Sequence, residues 1–409
     1  MGNSNAGSFN SSKLLDNESG YESSSRAFTF KILENAEEIN LIKDFWTSKQ
    51  WQHYTDFDYY MNIVIQEEGI LRPHIIVVFE NENPIFLLIG NIREKGFKLK
   101  LGYKSLLNIK VRFLGIMYGG VLGNQSPSVC KETVYFLKKI LATEKIDYVL
   151  FKELNVDSNI YKAIKNFGGK LYVSKFDLLN PHIYMDLPDS FEKYLETKNP
   201  KKRHEIKRRI KKFERDLQGR IEFKLYQRVE DLNIIMKDTE EVASQTYQSK
   251  LGVTLNYDND TREMLQFELE KGRLRAFILY IDGKPAAYST CLVYRKSFLG
   301  SKTGYLQEYS QYRPGSYLMM KTINYLCDSG TVNKVDFGFG DAEWKRDFST
   351  SINIESNVFI YSSTLKGFLL NFIGTFNRVT LMLYRKLSVR YDMIRRIKKK
   401  SRDRLTNGK

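Results

Sequence analysis

The sequence is poor in the residues that bind metals or cross-link chains. Three cysteines, Cys130, Cys291 and Cys327, occur in 409 residues, each in its own apolar stretch and none in a C-x-x-C pair. That usage excludes a disulfide framework and a thiolate zinc site, and it points to reduced, structural thiols. The four histidines, His53, His74, His182 and His204, are scattered without zinc-ligand spacing, so metal-free chemistry is expected. No Ser-His-Asp order and no reactive-cysteine setting is visible, which argues against a covalent intermediate. Long apolar runs are missing as well. The first residues lack the basic and apolar regions of a secretory signal, and Ala6 stands where a myristoylation site after Gly2 needs Ser or Thr. In the apolar stretch near the C-terminal end the longest uncharged run, 367–377, is eleven residues, well short of the roughly 20 that cross a bilayer. A cytoplasmic location, with or without attachment to the inner face of the membrane, is the expectation.

What the chain has is positive charge, unevenly placed. The net charge is +16. Residues 198–215 hold ten Lys/Arg against two Glu, and residues 363–409 hold thirteen against two Asp, which leaves the rest slightly acidic. Two basic segments on an otherwise ordinary chain suit anionic partners: a membrane surface, a nucleic acid or an acidic polymer. In the first, Asn199 suits an N-cap and Pro200 the first helical position. Ile206, Ile210, Phe213 and Leu217 form one apolar stripe there, with the cations turned elsewhere, either to solvent or to an anion site for phosphates. In the second, Phe368, Leu369, Phe372, Ile373 and Phe376 precede a mixture of Leu, Tyr, Ile and many Arg and Lys. This is either a helix packed on its domain with a solvated tail, or a basic amphipathic helix on an anionic membrane.

An apolar share of 42% fits a globular protein, and the length suggests two domains. Residues 1–26, rich in Ser, Asn and Gly, read as a disordered tail. Then come a helix over 38–48 and an aromatic cluster, Trp51, Tyr54, Phe57, Tyr59 and Tyr60, that is core or cleft wall. Strands follow over 75–79 and 85–92 around Asn81-Glu82-Asn83, with a strand region over 111–122, a helix over 128–143 and a strand over 147–151. The second half repeats the plan: a hairpin over 275–281 and 285–294 around Asp282-Gly283, a third strand, a Gly turn, a helix and a strand. Pro84 and Pro285 each open the second hairpin strand, and the two halves read as copies of one α/β unit. Ahead of the second hairpin and of a helix opening at Asp258 or Asp260, Gln245, Lys250 and Tyr257 lie near a Gly hinge, as an acceptor-binding loop or as a plain surface connection.

The stretch 304–348 carries the chemistry. An aromatic strand over 298–308 leads to Pro314-Gly315. A helix opens near Ser316 with Met319, Ile323 and Leu326 on one face and ends at Gly330. Val335, Phe337 and Phe339 alternate with Asp336 and Gly338 in a short strand that exits into an acidic loop at 341–345. A Gly turn at a helix N-terminus offers unpaired N–H groups and a positive dipole end, so Arg313, Pro314, Gly315, Ser316 and Tyr317 are candidates to hold a pyrophosphate. An ordinary crossover without a ligand has the same local spacing.

In order, Tyr305 to Glu308, Pro314-Gly315, Asp336-Phe337, Gly340-Asp341 and Trp344-Lys345 resemble the acyl-CoA segment of the GNAT acetyltransferase superfamily. The branch is that of the CelD-like cellulose-biosynthesis acetyltransferases and the Fem-type aminoacyl transferases. The departure is the phosphate loop, where Tyr312 and Tyr317 take the outer positions of Arg/Gln-x-x-Gly-x-Gly/Ala. The resemblance implies an α/β (α+β) fold of tandem GNAT-like domains, each a mixed, mostly antiparallel twisted sheet flanked by helices. The expected division is 27–185, degenerate because it lacks the motif set, 186–362, catalytic, and a basic helical tail over 363–409. It further implies splayed central strands presenting a backbone N–H to the acyl carbonyl. A carboxylate near the splay serves as general base: Asp336 first, then Glu308 and Asp341, unless Asp336 merely pairs with Lys345 or Arg346. Lys345 would hold an anionic group or that Asp, and Tyr305 or Tyr309 would protonate the leaving sulfur. The implied donor is acyl-CoA, acetyl-CoA foremost, and the acceptor an amine or hydroxyl of a sugar, cell-envelope precursor or polysaccharide intermediate. Two alternatives stand beside it. One is Fem-type transfer from aminoacyl-tRNA, although only the helix over 201–217 could stand in for the helical arm of that type. The other is a non-catalytic protein docking on membrane or nucleic acid.

Overall fold

The computed structural model describes residues 28–101, 104–167, 172–174, 176–246 and 258–390. The tail 1–26, Lys250, Tyr257 and residues 391–409 lie outside them. From the first described residues the chain forms β1 (Thr29–Leu33) and three short helices, α1 (Ala36–Asn40), α2 (Lys43–Lys49) and α3 (Phe57–Asn62). Next come β2 (Ile70–Glu80), β3 (Asn83–Leu101), β4 (Lys104–Gly123), α4 (Pro127–Thr143), β5 (Tyr148–Asn155), α5 (Asn159–Asn166) and β6 (Leu179–Asp186). The second half has α6 (Phe191–Glu196), α7 (Pro200–Asp216), β7 (Ile221–Tyr226), α8 (Leu232–Ser244), α9 (Asn259–Glu270), β8 (Leu274–Ile281), β9 (Lys284–Tyr294) and β10 (Ser297–Tyr305). It closes with α10 (Pro314–Ser329), β11 (Lys334–Phe339), α11 (Glu343–Phe348), β12 (Ser351–Tyr361) and α12 (Leu365–Arg390).

These elements fall into two compact units. The first runs to Asn180 and resumes over Ile354–Arg390; the second spans Pro181–Asn353. Within the first unit the strand order is β1-β2-β3-β4-β5-β12, and within the second it is β7-β8-β9-β10-β11-β6. In each, four strands form antiparallel neighbours and the fourth pairs in parallel with the fifth, β4 with β5 and β10 with β11. An antiparallel sixth strand then completes each sheet. The fifth strand follows a helix, α4 or α10, as a parallel crossover requires. The duplication read from the two Pro-led hairpins is thus a duplication of topology. Both hairpins turn on two residues of positive φ, Asn81-Glu82 (47° and 65°) and Asp282-Gly283 (53° and 74°), the turn whose twist matches the strands.

Each unit has its own core. In the first, Ile76, Leu88, Leu114 and Val149 pack against Val134, Leu137 and Ile140 of α4. In the second, Phe277, Ala287, Phe298, Val335 and Phe337 pack against Leu318, Ile323 and Leu326 of α10. Two local expectations differ from the structure. The helix over 38–48 is two helices, α1 and α2, because the Asn40 side-chain amide turns back to the Ala36 carbonyl (2.9 Å) and competes with helix continuation. The acidic loop at 341–345 runs into a helix, α11, whose Trp344 and Phe348, one turn apart, both meet the Phe337 ring (5.9 and 6.3 Å).

Candidate active site

The second unit builds the site where its two parallel strands part. β10 and β11 pair over only three positions, Ser297 with Lys334, Phe298 with Val335 and Leu299 with Asp336. Beyond them each strand follows its outer neighbour. β10 bulges at Gly300/Lys302 and stays with β9, and β11 shifts between Asp336 and Phe339 and stays with β6. At the fork the backbones are close, since a Cβ on Gly300 would lie 3.3 Å from the Asp336 carbonyl oxygen.

Side-chain alternation separates the two faces of this fork. Val335, Phe337, Ile183 and Met185 point into the core shared with α10. Asp336, His182 and Tyr184 therefore take the opposite face. There Asp336 Oδ1 accepts from His182 Nε2 (2.6 Å) and from the Gly338 N–H (2.7 Å). A carboxylate accepts and does not donate, so Nε2 carries the hydrogen, while Nδ1 and the Tyr184 hydroxyl share a hydrogen bond of 2.9 Å. The imidazole is sandwiched by Tyr184 and Phe339, with centroids 4.3 and 4.1 Å away. The Asp336 side chain is 9% exposed and that of His182 1%.

Lys345 stands beside this pair without bonding to it. Its ammonium donates to the carbonyls of Phe339 (2.6 Å) and Gly338 (3.3 Å) and so clips the strand exit. Burial pulls Lys345 below the usual lysine range, and the Asp336 charge opposes this. Asp341 is at the surface, paired with Arg346 (3.1 Å). Glu308 is exposed in the 3₁₀ turn Gln307–Tyr312, where it bonds Tyr309 and, after burial, helps push that phenol up. Tyr305 is exposed, with its ring edge beside Gly315. Thus Asp336 and Lys345 come together at the fork, Tyr305 stands by the helix end, and Glu308 and Asp341 lie apart at the surface.

The start of α10 lies on the other face. Arg313 adopts a left-handed conformation (φ 55°) and Pro314 takes the first helical position. No side chain caps this end, and the Arg313 carbonyl accepts from Ser316 and Tyr317 N–H (3.0 and 3.2 Å). Tyr317 is a fastener: its ring stacks on Phe213 of α7 at 4.0 Å and its hydroxyl donates to Glu214 (3.0 Å). Tyr312 meets Phe213 edge-on at 6.4 Å. The two tyrosines that depart from the usual phosphate-loop pattern therefore dock α7 against the helix end. Between α7 and α10 opens a cavity of about 1130 Å³, lined by Arg313, Ser316 and Tyr317 and by Arg208, Lys211 and Lys212 of α7. These three α7 cations have no acidic partner among the described residues, whereas Lys202 and Lys207 are paired with Asp347 (2.7 Å) and Glu192 (3.0 Å). An uncapped helix end facing unpaired cations is chemistry that fits phosphate.

His182 and Tyr184 were not among the sequence candidates. The available signal was the alternation of His182, Ile183, Tyr184 and Met185, which puts the two polar residues on one strand face. In the first unit, β5 offers Tyr148, Val149, Leu150 and Phe151 opposite β4, with no carboxylate where β11 has Asp336. That unit does bring ligand atoms of Glu34, His74 and Glu144 within 4.8 Å of one another, but the Arg72 guanidinium bonds both glutamates and His74 Nδ1 and supplies the positive charge there.

A mixed sheet whose parallel pair forks beside an uncapped helix end is the GNAT-like fold that the resemblance implies. Residues 200–346 match the family model described as acetyltransferase (GNAT) domain. Among solved structures, that of FemX superposes with a TM-score of 0.53 at 10% identity, covering 81% of this chain and 97% of that one. A tandem GNAT protein from the clavulanic acid biosynthesis pathway gives 0.47 at 9%, covering 82% and 99%. L-PGS from Bacillus licheniformis gives 0.46 at 12%, covering 83% and 95%. Comparison of the sequence with curated proteins gives no match.

Proposed function

We propose that the second unit transfers an acyl group from an acyl-CoA, acetyl-CoA foremost, to an amine or hydroxyl. The observation that carries this is the fork itself: strands that part at Asp336, with an uncapped helix and an unpaired basic wall on one face and a hydrogen-bonded carboxylate on the other. The donor's phosphates would lie at Gly315 and Ser316 and against Arg208, Lys211 and Lys212. Its thioester would enter the fork, where strand N–H groups freed from pairing polarise the carbonyl. The acceptor would approach from the Asp336 face and attack the carbonyl carbon. Its proton passes to Asp336, the C–S bond breaks, and the thiolate leaves with a proton from Tyr305 or solvent. Asp336 is suited to this role because both bonds to it fall on Oδ1, and His182 fixes its orientation. The acceptor class implied by the resemblance is a sugar, cell-envelope precursor or polysaccharide intermediate.

A second reading rests on the size and charge of the cavity: the same basic wall fits the phosphates of an aminoacyl-tRNA, the donor that the Fem-type resemblance implies. Thermal shift separates the two. A ligand at 100 times its Kd adds about 2.7 kcal/mol of apparent stability. Stabilisation by CoA thioesters and not by tRNA supports the acyl-CoA reading, and the reverse supports tRNA. No response to either removes the enzyme reading in favour of a docking protein.

A further inference from the structure

α12 presents to solvent a face of the kind that a helix ordinarily buries. Its inward register is set by two glycines two turns apart. A Cβ at Gly367 would overlap the Ser362 carbonyl, and one at Gly374 would fall 2.6 Å from the Tyr361 hydroxyl. Leu370 and Ile373 are buried on this side. Lys366 pairs with Asp147 (2.8 Å), and the Asn377 amide donates to the Lys98 carbonyl (2.8 Å). The helix is therefore held by close backbone approach and cannot roll its other side inward.

That other side is a stripe of Leu365, Phe368, Phe372, Phe376, Leu383 and Leu387, all exposed, with Leu365 at 91% and Phe372 at 67%. The spacing of three, four, four, seven and four residues keeps them on one line along a helix about 39 Å long. A row of large apolar side chains facing water marks an interaction surface.

Charge selects the partner. Leu365–Arg390 contains five Lys/Arg and no acidic residue; Lys366 and Arg378 turn to the protein, Arg385 and Lys386 are exposed near the far end, and the next nineteen residues contain eight Lys/Arg against two Asp. A second copy of the helix would set cations against cations. No helix among the described residues is long and apolar enough to cross a bilayer. An apolar face with exposed cations at one end is suited to lie in the headgroup region of an anionic bilayer. We propose that the outward stripe of α12 seats this protein on an anionic lipid surface, with the stripe in the acyl boundary and the cations at the lipid phosphates.

The test is co-sedimentation of the full-length protein with vesicles of phosphatidylcholine alone and of phosphatidylcholine with phosphatidylglycerol. Binding is expected only with the anionic lipid. It should weaken at least about tenfold as salt shortens the screening length. The double variant Phe372→Asp, Leu383→Asp should lose binding by more than about tenfold at an unchanged melting temperature, because both side chains project outward. Equal binding to both vesicles, or a folded double variant that binds as the parent does, overturns the proposal. A parent that ignores vesicles but forms a dimer split by the double variant overturns it in favour of self-association. Should the variant fail to fold, hydrogen exchange of the parent decides: protection of 365–390 by anionic vesicles is expected, and its absence is contrary.

Discussion

Asp336 and His182 are 154 positions apart in the chain and 2.6 Å apart in space. The sequence made Asp336 conspicuous, because an acid on a strand otherwise built of Val, Phe and Gly has to be accounted for. It could not make His182 conspicuous, because pairing of β6 with β11 is a long-range event that leaves no local spacing. The pair makes a kinetic prediction. Asp336→Asn keeps the shape and the Gly338 bond but removes the base, so kcat should fall by about 10²- to 10⁴-fold with donor KM little changed. His182→Gln, acting through orientation, should lower kcat less and shift the acidic limb of the pH profile. A loss confined to KM would show that neither residue serves the transfer step. A second histidine tests the first unit. Burial, with Arg72 and Arg112 beside it, lowers His74 from 6.5 to about 3. Below pH 6.5 the unfolded chain takes up a proton that the folded chain refuses. Stability should therefore fall as pH drops from 6.5 towards 3, by up to about 1.4 kcal/mol per pH unit. Urea melts between pH 7.5 and 4 should show this slope, and His74→Gln should flatten it.

At the scale of elements, α10 and its flanking strands were legible because their punctuation is local: Pro314-Gly315 at the start, Gly330 at the end, two-residue alternation in β11. The docking of α7 on α10 was only half legible. The Ile206 to Leu217 stripe announced a packed helix, but nothing in it named Tyr317 and Tyr312 as the surface it packs on. What remains open on α10 is its first turn, and one substitution separates its two roles. Ser316→Asp places a negative charge at the positive end of the dipole and should hold or raise stability by about 0.3–1 kcal/mol. The same charge repels a phosphate, so donor binding should weaken at least tenfold. Equilibrium binding and a melt of one preparation read both signs together. A variant that binds donor as well as the parent would place the phosphates elsewhere.

At the scale of the molecule, one topology occurs twice and carries the polar equipment once. The first unit repeats the fork, with four parallel pairings between β4 and β5, but Ser126 caps its crossover helix and Phe151 holds the last paired position of its fifth strand, where β11 has Asp336. Duplication relaxes the demand for chemistry on one copy, and that copy here provides the sheet on which α12 rests. The tandem plan could be read from two Pro-led hairpins. The assignment of β12 to the first unit could not, because that strand is sequence-distant from the five it joins. The most direct measurement is hydrogen exchange with and without a saturating CoA thioester, followed peptide by peptide. Slowed exchange at 313–318 and at 336–340, with 127–130 of the first unit unchanged, is the predicted result. Protection that leaves 313–318 untouched while the protein is demonstrably bound would contradict the placement of the donor at the α10 end.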